Sequence, residues 1–187
     1  MTKFQKAVKW LSLVAFIMLA VVLVYEASMP AKVSSSHSGA VSNAVVDTTE
    51  KIEGAIGGTK PNTPDSEPTL SEQIRANWGK FNLYIRKGIG HFGAFLVLAI
   101  FGTIAFFMLA ENRTRGVVVA LVLGVSIALI TEIIQLYTEG RAGSASDVML
   151  DSFGYVVGCV LTLILFGIIV LVRKRKIARN YSDRGEL

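Results

Sequence analysis

Residues 131–158 read TEIIQLYTEGRAGSASDVMLDSFGYVVG, and they join two long apolar runs through a short polar connection. Charged and amide side chains cluster within this stretch: Glu132, Gln135, Arg141, Asp147 and Asp151. A carboxylate at the middle of a bilayer costs at least roughly 2.5 kcal/mol, so a charge in or beside a membrane span usually has a function. The stretch therefore predicts a site at the meeting point of two membrane spans.

The composition is typical of a membrane protein. Hydrophobic residues make up 52% of the 187 residues and are concentrated in long blocks, and the length fits one domain. The formal net charge is +5, but the basic residues lie at the edges of the apolar blocks, as in membrane proteins. Since the sequence has no nucleic-acid-binding motif, we expect no nucleic-acid partner. The single cysteine, Cys159, excludes an intrachain disulfide and fits as a small packing residue.

Four apolar runs predict membrane-spanning helices: residues 10–25, 88–110, 117–137 and 148–172. A helix rises about 1.5 Å per residue, so about 20 residues cross a hydrocarbon core of about 30 Å. The first run follows a basic start and could be a signal peptide, but it lacks a clean cleavage pattern, and we favour an uncleaved span. The predicted fold is all-α, a polytopic membrane protein whose domain covers about residues 10–172.

The segment between the first two spans, residues 26–87, is mostly rich in Ser, Gly, Thr and Pro. No apolar period persists there, so we expect a mobile, partly disordered segment outside the membrane, with at most a short amphipathic helix at residues 41–56. His37 and the serines around it are interpreted as solvated linker, with ligand contact by the serines as the alternative. Near its end, residues 71–86 space apolar and aromatic side chains at helical intervals between basic ones. This spacing predicts a short helix on the membrane surface.

The positions of Lys and Arg predict the orientation. With the N-terminus inside, the inner face receives the basic residues of segments 1–9, 111–116 and 173–187. The outer loop, residues 138–147, then carries Arg141 alone. We therefore expect both termini to be cytoplasmic.

In this topology, polar residues that are distant in the sequence meet at one membrane face. Arg86 and Lys87 lie outside against the charge trend, and His91 opens the second span beside them. Glu132 and Gln135 close the third span at the same face. The predicted ligand-binding residues are Arg86, Lys87, His91, Glu132, Gln135, Arg141, Asp147 and Asp151.

Helical spacing predicts that these residues face inward. On the third span one stripe holds Gly124, Ala128, Glu132 and Gln135. On the fourth span one stripe holds Asp147, Asp151, Gly154 and Gly158. The two glycines form a GxxxG, which commonly marks a close contact between membrane helices.

Structural interpretations of the same residues stay open. Asp147 could cap the fourth helix through a box with Ser144. Glu132 and Arg141 could form an ion pair that ties the third span to its loop. His91 could be an interfacial histidine bonded to backbone, and the whole cluster would then only lock the bundle.

The sequence resembles the VanZ-like family of small bacterial membrane proteins, of the teicoplanin-resistance type. The resemblance rests on RKGIGHFGAF (residues 86–95), TEIIQ (residues 131–135) and the pattern R-x5-D-x3-D-x2-G-x3-G over residues 141–158. Two features differ: the family often has Asn at the position of Asp151, and commonly has one residue fewer between the basic pair and His91. The resemblance implies a VanZ-like fold in the bacterial plasma membrane and a link to glycopeptide resistance or envelope homeostasis.

Two functions of different classes stay open. The favoured one is binding, at the outer leaflet, of an anionic lipid-linked or cell-wall precursor, or of a lipoglycopeptide. Arg86, Lys87 and Arg141 would contact its phosphate or carboxylate groups. The alternative is a membrane enzyme that uses His91, Glu132 or Asp147 as acid or base on a lipid-linked substrate.

Membrane lipid is the expected partner in either case, and the oligomeric state stays open. We expect no cofactor and no metal. His91, Asp147 and Asp151 could hold a divalent ion, but no ligand spacing demands it.

Overall fold

The computed structural model describes residues 2–56 and 68–183, and within these ranges the secondary structure is helical, without a strand. In chain order the helices are α1 (Lys3–Ser28), α2 (Ala31–Ala55), α3 (Leu70–Ala76), α4 (Trp78–Ile85), a π-helical segment (Arg86–Gly93), α5 (Ala94–Leu109), α6 (Arg113–Leu136) and α7 (Ala145–Asp183). The predicted all-α fold is confirmed.

Four helical stretches are long and apolar enough to cross a membrane: Lys3–Ser28, Trp78–Leu109, Arg113–Leu136 and Ala145–Lys176. The second is one continuous helix through α4, the π-helical segment and α5. Large apolar side chains on the spans point away from the bundle, such as Val118 and Val122 on α6. In water such a surface would be costly, whereas lipid tails are its natural surroundings. The predicted four-span architecture is confirmed.

Helix α5 lies at the centre of the bundle and contacts α1, α6 and α7. Tyr155 of α7 is fully buried where these helices meet. Its ring occupies the space left by Gly124 of α6, where a Cβ atom would overlap the ring, and its hydroxyl faces Gly102 of α5. Small residues on two helices therefore make room for one large side chain on the third.

The glycine pair of α7 packs against the backbone of the second span. A Cβ atom at Gly154 would collide with the Phe92 carbonyl oxygen, and one at Gly158 with the Leu96 carbonyl oxygen. The two glycines and Asp151 are buried, so the stripe that carries them faces inward, as the spacing predicts. This close contact fixes the height of α7 beside the residues around His91.

Helix α2 corrects the expectation of a mostly mobile segment after the first span. It is helical over Ala31–Ala55, with Pro30 immediately before it and no proline within it. Hydroxyl groups that favour loops by propensity donate here to carbonyls of their own helix, as Ser35 does to Lys32 (2.9 Å) and Thr48 to Ala44 (2.7 Å). Their polarity therefore does not prevent the helix.

Packing against α3 and α4 holds α2 in place. Val46 and Ser42 are fully buried, and Ser42 Oγ lies 2.9 Å from Asn82 Oδ1 of α4. The Glu53 carboxylate accepts hydrogen bonds from the Oγ (2.6 Å) and the N–H (3.2 Å) of Ser71. The hydrogen bond from the Ser71 hydroxyl lowers the pKa of Glu53. Helices α2, α3 and α4 thus form a small layer beside one end of the bundle.

Helices α3 and α4 cover the predicted surface helix at residues 71–86. Helix α4 runs without interruption into the second span rather than ending at the membrane surface. The part of the predicted outer segment at residues 57–67 lies outside the described residues.

Candidate functional site

A cavity of about 580 Å³ lies at the end of the bundle where α1 and α6 finish and α7 begins. Its lining combines apolar side chains of α1, such as Val22 and Leu23, with polar side chains from α2, the π-helical segment, α6 and the α6–α7 loop. We refer to this space as the end cavity. It joins an apolar wall to a polar one, an arrangement common in ligand-binding sites.

The first turns of α2 form one wall of the end cavity. Ala31, Ser34, Ser38 and Val41 line it at intervals of three or four residues, which is one helical stripe. The Ala31 N–H donates to the Glu139 carbonyl (3.1 Å) and so fixes the start of α2 to the α6–α7 loop. A segment expected to be solvated linker therefore contributes to the cavity.

The π-helical segment supplies another wall. It carries Arg86, Gly90 and His91 into the lining at the start of the apolar part of the second span. A π-helix is wider than an α-helix and is rare, and the π-helical turns that do occur are frequently found at functional sites. The wider turns bring both a cation and an imidazole to the same cavity.

His91 is held by Asp151. Its Nδ1 lies 3.1 Å from Asp151 Oδ1 and 3.3 Å from Oδ2, and the carboxylate is only 1% exposed. A carboxylate can only accept, so the ring donates its Nδ1–H, and in the neutral imidazole Nε2 is then the nitrogen with the free lone pair. Asp151 therefore fixes the orientation and the tautomer of His91.

Lys87 and Asp147 link the second span to the fourth. Lys87 Nζ donates to Asp147 Oδ1 at 2.6 Å, and the Asp147 side chain is 14% exposed. The Ser144 hydroxyl accepts instead from the Ser146 N–H (3.2 Å). Asp147 thus pairs with a lysine of another helix rather than completing a capping box with Ser144.

Glu132 is buried, with 4% of its surface exposed. Its Oε2 accepts a hydrogen bond from the Ser144 N–H (2.8 Å), whereas its Oε1 has no partner in the described part of the chain. Among the described side chains it forms no ion pair with Arg141, so the interpretation of Glu132 as Arg141's partner is wrong. The hydrogen bond from the Ser144 backbone N–H to Glu132 connects the third span to its loop instead.

Three side chains of the predicted site converge closely. A ring nitrogen of His91 and one carboxylate oxygen each of Glu132 and Asp147 all lie within 4.8 Å of one another. These residues come from three different spans. Such a cluster can share a proton, a substrate atom or a cation.

Arg86 and Arg141 both line the end cavity. Burial, and then the neighbouring charge of Arg86, lowers the pKa of the Arg141 guanidinium, while Glu26 and Glu132 act in the opposite direction. An arginine stays protonated even so, and two cations therefore face one partly buried space. Neither of them forms an ion pair with a carboxylate in the described ranges.

Each predicted site residue lies in or beside the end cavity. Six of them line it: Arg86, His91, Gln135, Arg141, Asp147 and Asp151. Lys87 and Glu132 adjoin these through the contacts described above. The structure brings the predicted residues together, and their role in binding stays a prediction.

Sequence reasoning missed the pair formed by Glu26 and His37. His37 Nδ1 lies 3.2 Å from Glu26 Oε1, and both residues line the end cavity. His37 lies between Ser34 and Val41 on the α2 stripe, at helical spacing. This helical spacing could have indicated that His37 faces the same side as Ser34 and Val41. It indicates this only if the Ser-rich segment is a helix.

Comparison with known proteins places the chain in a family. A family model described as VanZ/LLP1 matches residues 12–167. No match was found among curated proteins or among solved structures. The matched region includes the four spans' apolar cores, both buried stripes and the residues that line the end cavity. The chain belongs to the VanZ/LLP1 family and is a membrane protein of that family.

Proposed function

We propose that this protein binds an anionic, lipid-tailed ligand in the end cavity, at the outer leaflet of the bacterial plasma membrane. The ligand class is a lipid-linked cell-wall precursor or a lipoglycopeptide. The observation that carries the proposal is the pair Arg86 and Arg141, two cations that line one cavity without a carboxylate in ion-pair contact in the described part of the chain. Like charges brought together in a partly desolvated space repel each other, and a bound anion would relieve that repulsion.

The shape of the lining supports an amphiphilic ligand. Arginine presents its donors as a planar fork that matches phosphate and carboxylate groups. Another part of the lining, with Val22 and Leu23 of α1, is apolar. A headgroup would lie against the arginines while the hydrocarbon tail follows α1 toward the bilayer.

The distribution of charge supports an outer location. Lys3, Lys6 and Lys9 begin α1 at the end of the bundle opposite the cavity, where Arg113 and Arg115 begin α6. Cytoplasmic ends are enriched in Lys and Arg, so both termini would lie inside and the cavity outside. A reporter fused after Lys176 would be found in the cytoplasm. Recovery of that reporter outside would reverse the orientation.

The direct test is binding of a fluorescent polyprenyl monophosphate to the protein in zwitterionic nanodiscs. We expect Arg86→Ala and Arg141→Ala each to weaken binding by about ten-fold, the loss of roughly one charge-assisted contact. Arg113→Ala is the matched control, because it removes an arginine at the other end of the bundle. The uncharged polyprenol should bind weakly to all variants.

The same variants connect binding to resistance. The protein should lower teicoplanin susceptibility in a sensitive host, and Arg86→Ala and Arg141→Ala should lose this effect at unchanged membrane abundance. If the two variants bind the phosphate probe as well as Arg113→Ala does, the proposed site is wrong. If they bind poorly but still protect the host, the link to teicoplanin is wrong.

One observation favours a membrane enzyme as the second candidate. Glu132 Oε1 is buried without a partner among the described residues, and a carboxylate oxygen of this side chain lies close to His91 and Asp147, as that of a positioned base would. Mass spectrometry of a lipid-linked substrate incubated with the protein tests this. A mass change that disappears in Glu132→Gln would favour catalysis, and an unchanged substrate would favour binding.

A further inference from the structure

The unpartnered oxygen of Glu132 is the most unusual polar atom of the end of the bundle. The side chain is 4% exposed, and a buried carboxylate oxygen without a donor is costly. The Ser144 N–H, 2.8 Å from Oε2, holds the carboxylate in place, and Oε1 is left without a partner in a side chain that lies beside the other two residues of the cluster. A bound cation would supply the missing partner.

His91 is oriented as a metal-binding histidine. Its Nδ1–H donates to the buried Asp151 carboxylate, so that in the neutral ring the lone pair is on Nε2. Histidines that bind metals usually donate their other ring N–H to a carboxylate or carbonyl in this way, which fixes the ring and raises its basicity. Asp151 thus positions the histidine rather than binding the ion.

Asp147 completes the cluster. Lys87 occupies its Oδ1 at 2.6 Å, and the second carboxylate oxygen has no bond of its own among the described residues. Donor atoms bound to one ion at about 2.1 Å lie at most about 4.2 Å apart. The three side chains offer donors within 4.8 Å of one another, so a shift of less than about 1 Å would close them on an ion.

We propose that His91, Glu132 and Asp147 bind a divalent transition-metal ion at the base of the end cavity. One imidazole nitrogen and two carboxylate oxygens suit Zn²⁺ or Mn²⁺, whereas Ca²⁺ and Mg²⁺ favour all-oxygen sites. Three protein ligands leave coordination positions open toward the cavity. The sequence predicts no metal, with His91, Asp147 and Asp151 as the alternative ligand set. The structure replaces Asp151 by Glu132 and makes Asp151 the residue that positions His91.

The inference goes beyond the proposed ligand and does not depend on it. The experiment therefore contains no lipid ligand: the full chain is purified in detergent, stripped with chelator, and titrated with Zn²⁺, Mn²⁺ or Mg²⁺. We expect about one Zn²⁺ or Mn²⁺ per chain, with Mg²⁺ binding far more weakly. His91→Ala and Glu132→Gln should lower the affinity at least about 100-fold, and Asp151→Asn about 10-fold or more.

The chain offers a matched control. His37 is the other histidine, it also lines the end cavity and it contacts a carboxylate, so His37→Ala should leave the metal affinity unchanged. A loss of affinity in His37→Ala equal to that in His91→Ala, or no stoichiometric binding by the wild-type protein, would overturn the proposal.

X-ray absorption of the Zn²⁺-loaded wild-type protein tests the site without a substitution. The spectrum should show nitrogen and oxygen ligands at about 2.0–2.2 Å and no sulfur. Sulfur scattering would assign the ion to Cys159 and overturn the proposal. Since anion binding is measured separately in zwitterionic nanodiscs, to which chelator can be added, loss of one activity leaves the other measurable.

Discussion

Some buried polar atoms of this protein have a hydrogen-bond partner and others have none. The Thr103 hydroxyl, fully buried in α5, donates to Cys159 Sγ at 3.1 Å. The Tyr155 hydroxyl, buried a short distance away, has no partner in the described ranges. A hydroxyl that loses water without gaining a hydrogen bond costs about 1–3 kcal/mol. The tyrosine is therefore retained in spite of its polar atom, at a position where its ring is needed to fill space.

This cost makes a prediction about Tyr155. Replacement by Phe keeps the ring between Gly102 and Gly124 and removes the unpaired hydroxyl, so we expect stability to rise by about 1 kcal/mol. Thermal unfolding in detergent measures the change. Tyr84→Phe is the matched control, because Tyr84 is 72% exposed and its loss should change nothing. A lower melting temperature for Tyr155→Phe would mean that the hydroxyl has a partner in the folded protein.

At the scale of the helix, α2 has the most to do with access to the end cavity. It covers one wall through a single stripe of residues and is held at its start by the Glu139 carbonyl and along its length by α3 and α4. Few large apolar side chains anchor it, so local opening of α2 should be the easiest motion near the cavity.

Gly39 allows this helix to be tested. Gly39→Pro places a proline inside α2, which costs about 3 kcal/mol and should unfold the helix locally. We expect faster amide exchange over residues 31–55 and weaker binding of the polyprenyl phosphate probe, with unchanged protection in α5 and α6. Gly39→Ala is the control: a Cβ there meets nothing within 4 Å, so the helix should gain about 0.5–1 kcal/mol. Equal exchange in both variants would show that α2 is not a stable helix in solution.

At the scale of the whole molecule, the close contact between α7 and the second span aligns the two halves of the site. Gly154→Ala would push a methyl group into the Phe92 carbonyl, so we expect a loss of about 1–3 kcal/mol and a displacement of Asp151 from His91. Gly167 lies on the same helix, and a methyl group added there would meet no atom within 4 Å, so Gly167→Ala should be neutral or slightly stabilising. Thermal unfolding of the two variants makes the comparison. Equal stability would show that the helices are not in tight contact.

The sequence predicts the bundle well because its signals are local to each span. Long apolar runs mark the spans, and the stripe from Asp151 to Gly158 marks the buried face of α7 at helical spacing. Helix α2 was not predictable in the same way. Its first turns are rich in serine and favour a loop by propensity, so the sequence indicates a helix only for residues 41–56, the part that α3 and α4 hold in place.

The candidate site was predictable from the sequence in part, less well than the bundle and better than α2. Its members at the ends of apolar runs, such as His91 and Gln135, were predictable because polar residues bound those runs. The specific partners were not: Glu132 bonds to the Ser144 backbone, and Asp147 to Lys87, 60 residues away in the sequence. Pairing across spans depends on the relative height of the helices, which composition does not encode.

The π-helical segment allows the second span to carry a residue that a regular α-helix would not accommodate. An inserted residue in an ordinary span would shift everything beyond it by about 1.5 Å along the bilayer and rotate it by about 100°. The wider turns of Arg86–Gly93 are a place where such a change can be absorbed, and beyond them α5 presents Leu96 to Gly158. Insertions at this point can alter the site while the rest of the bundle keeps its register.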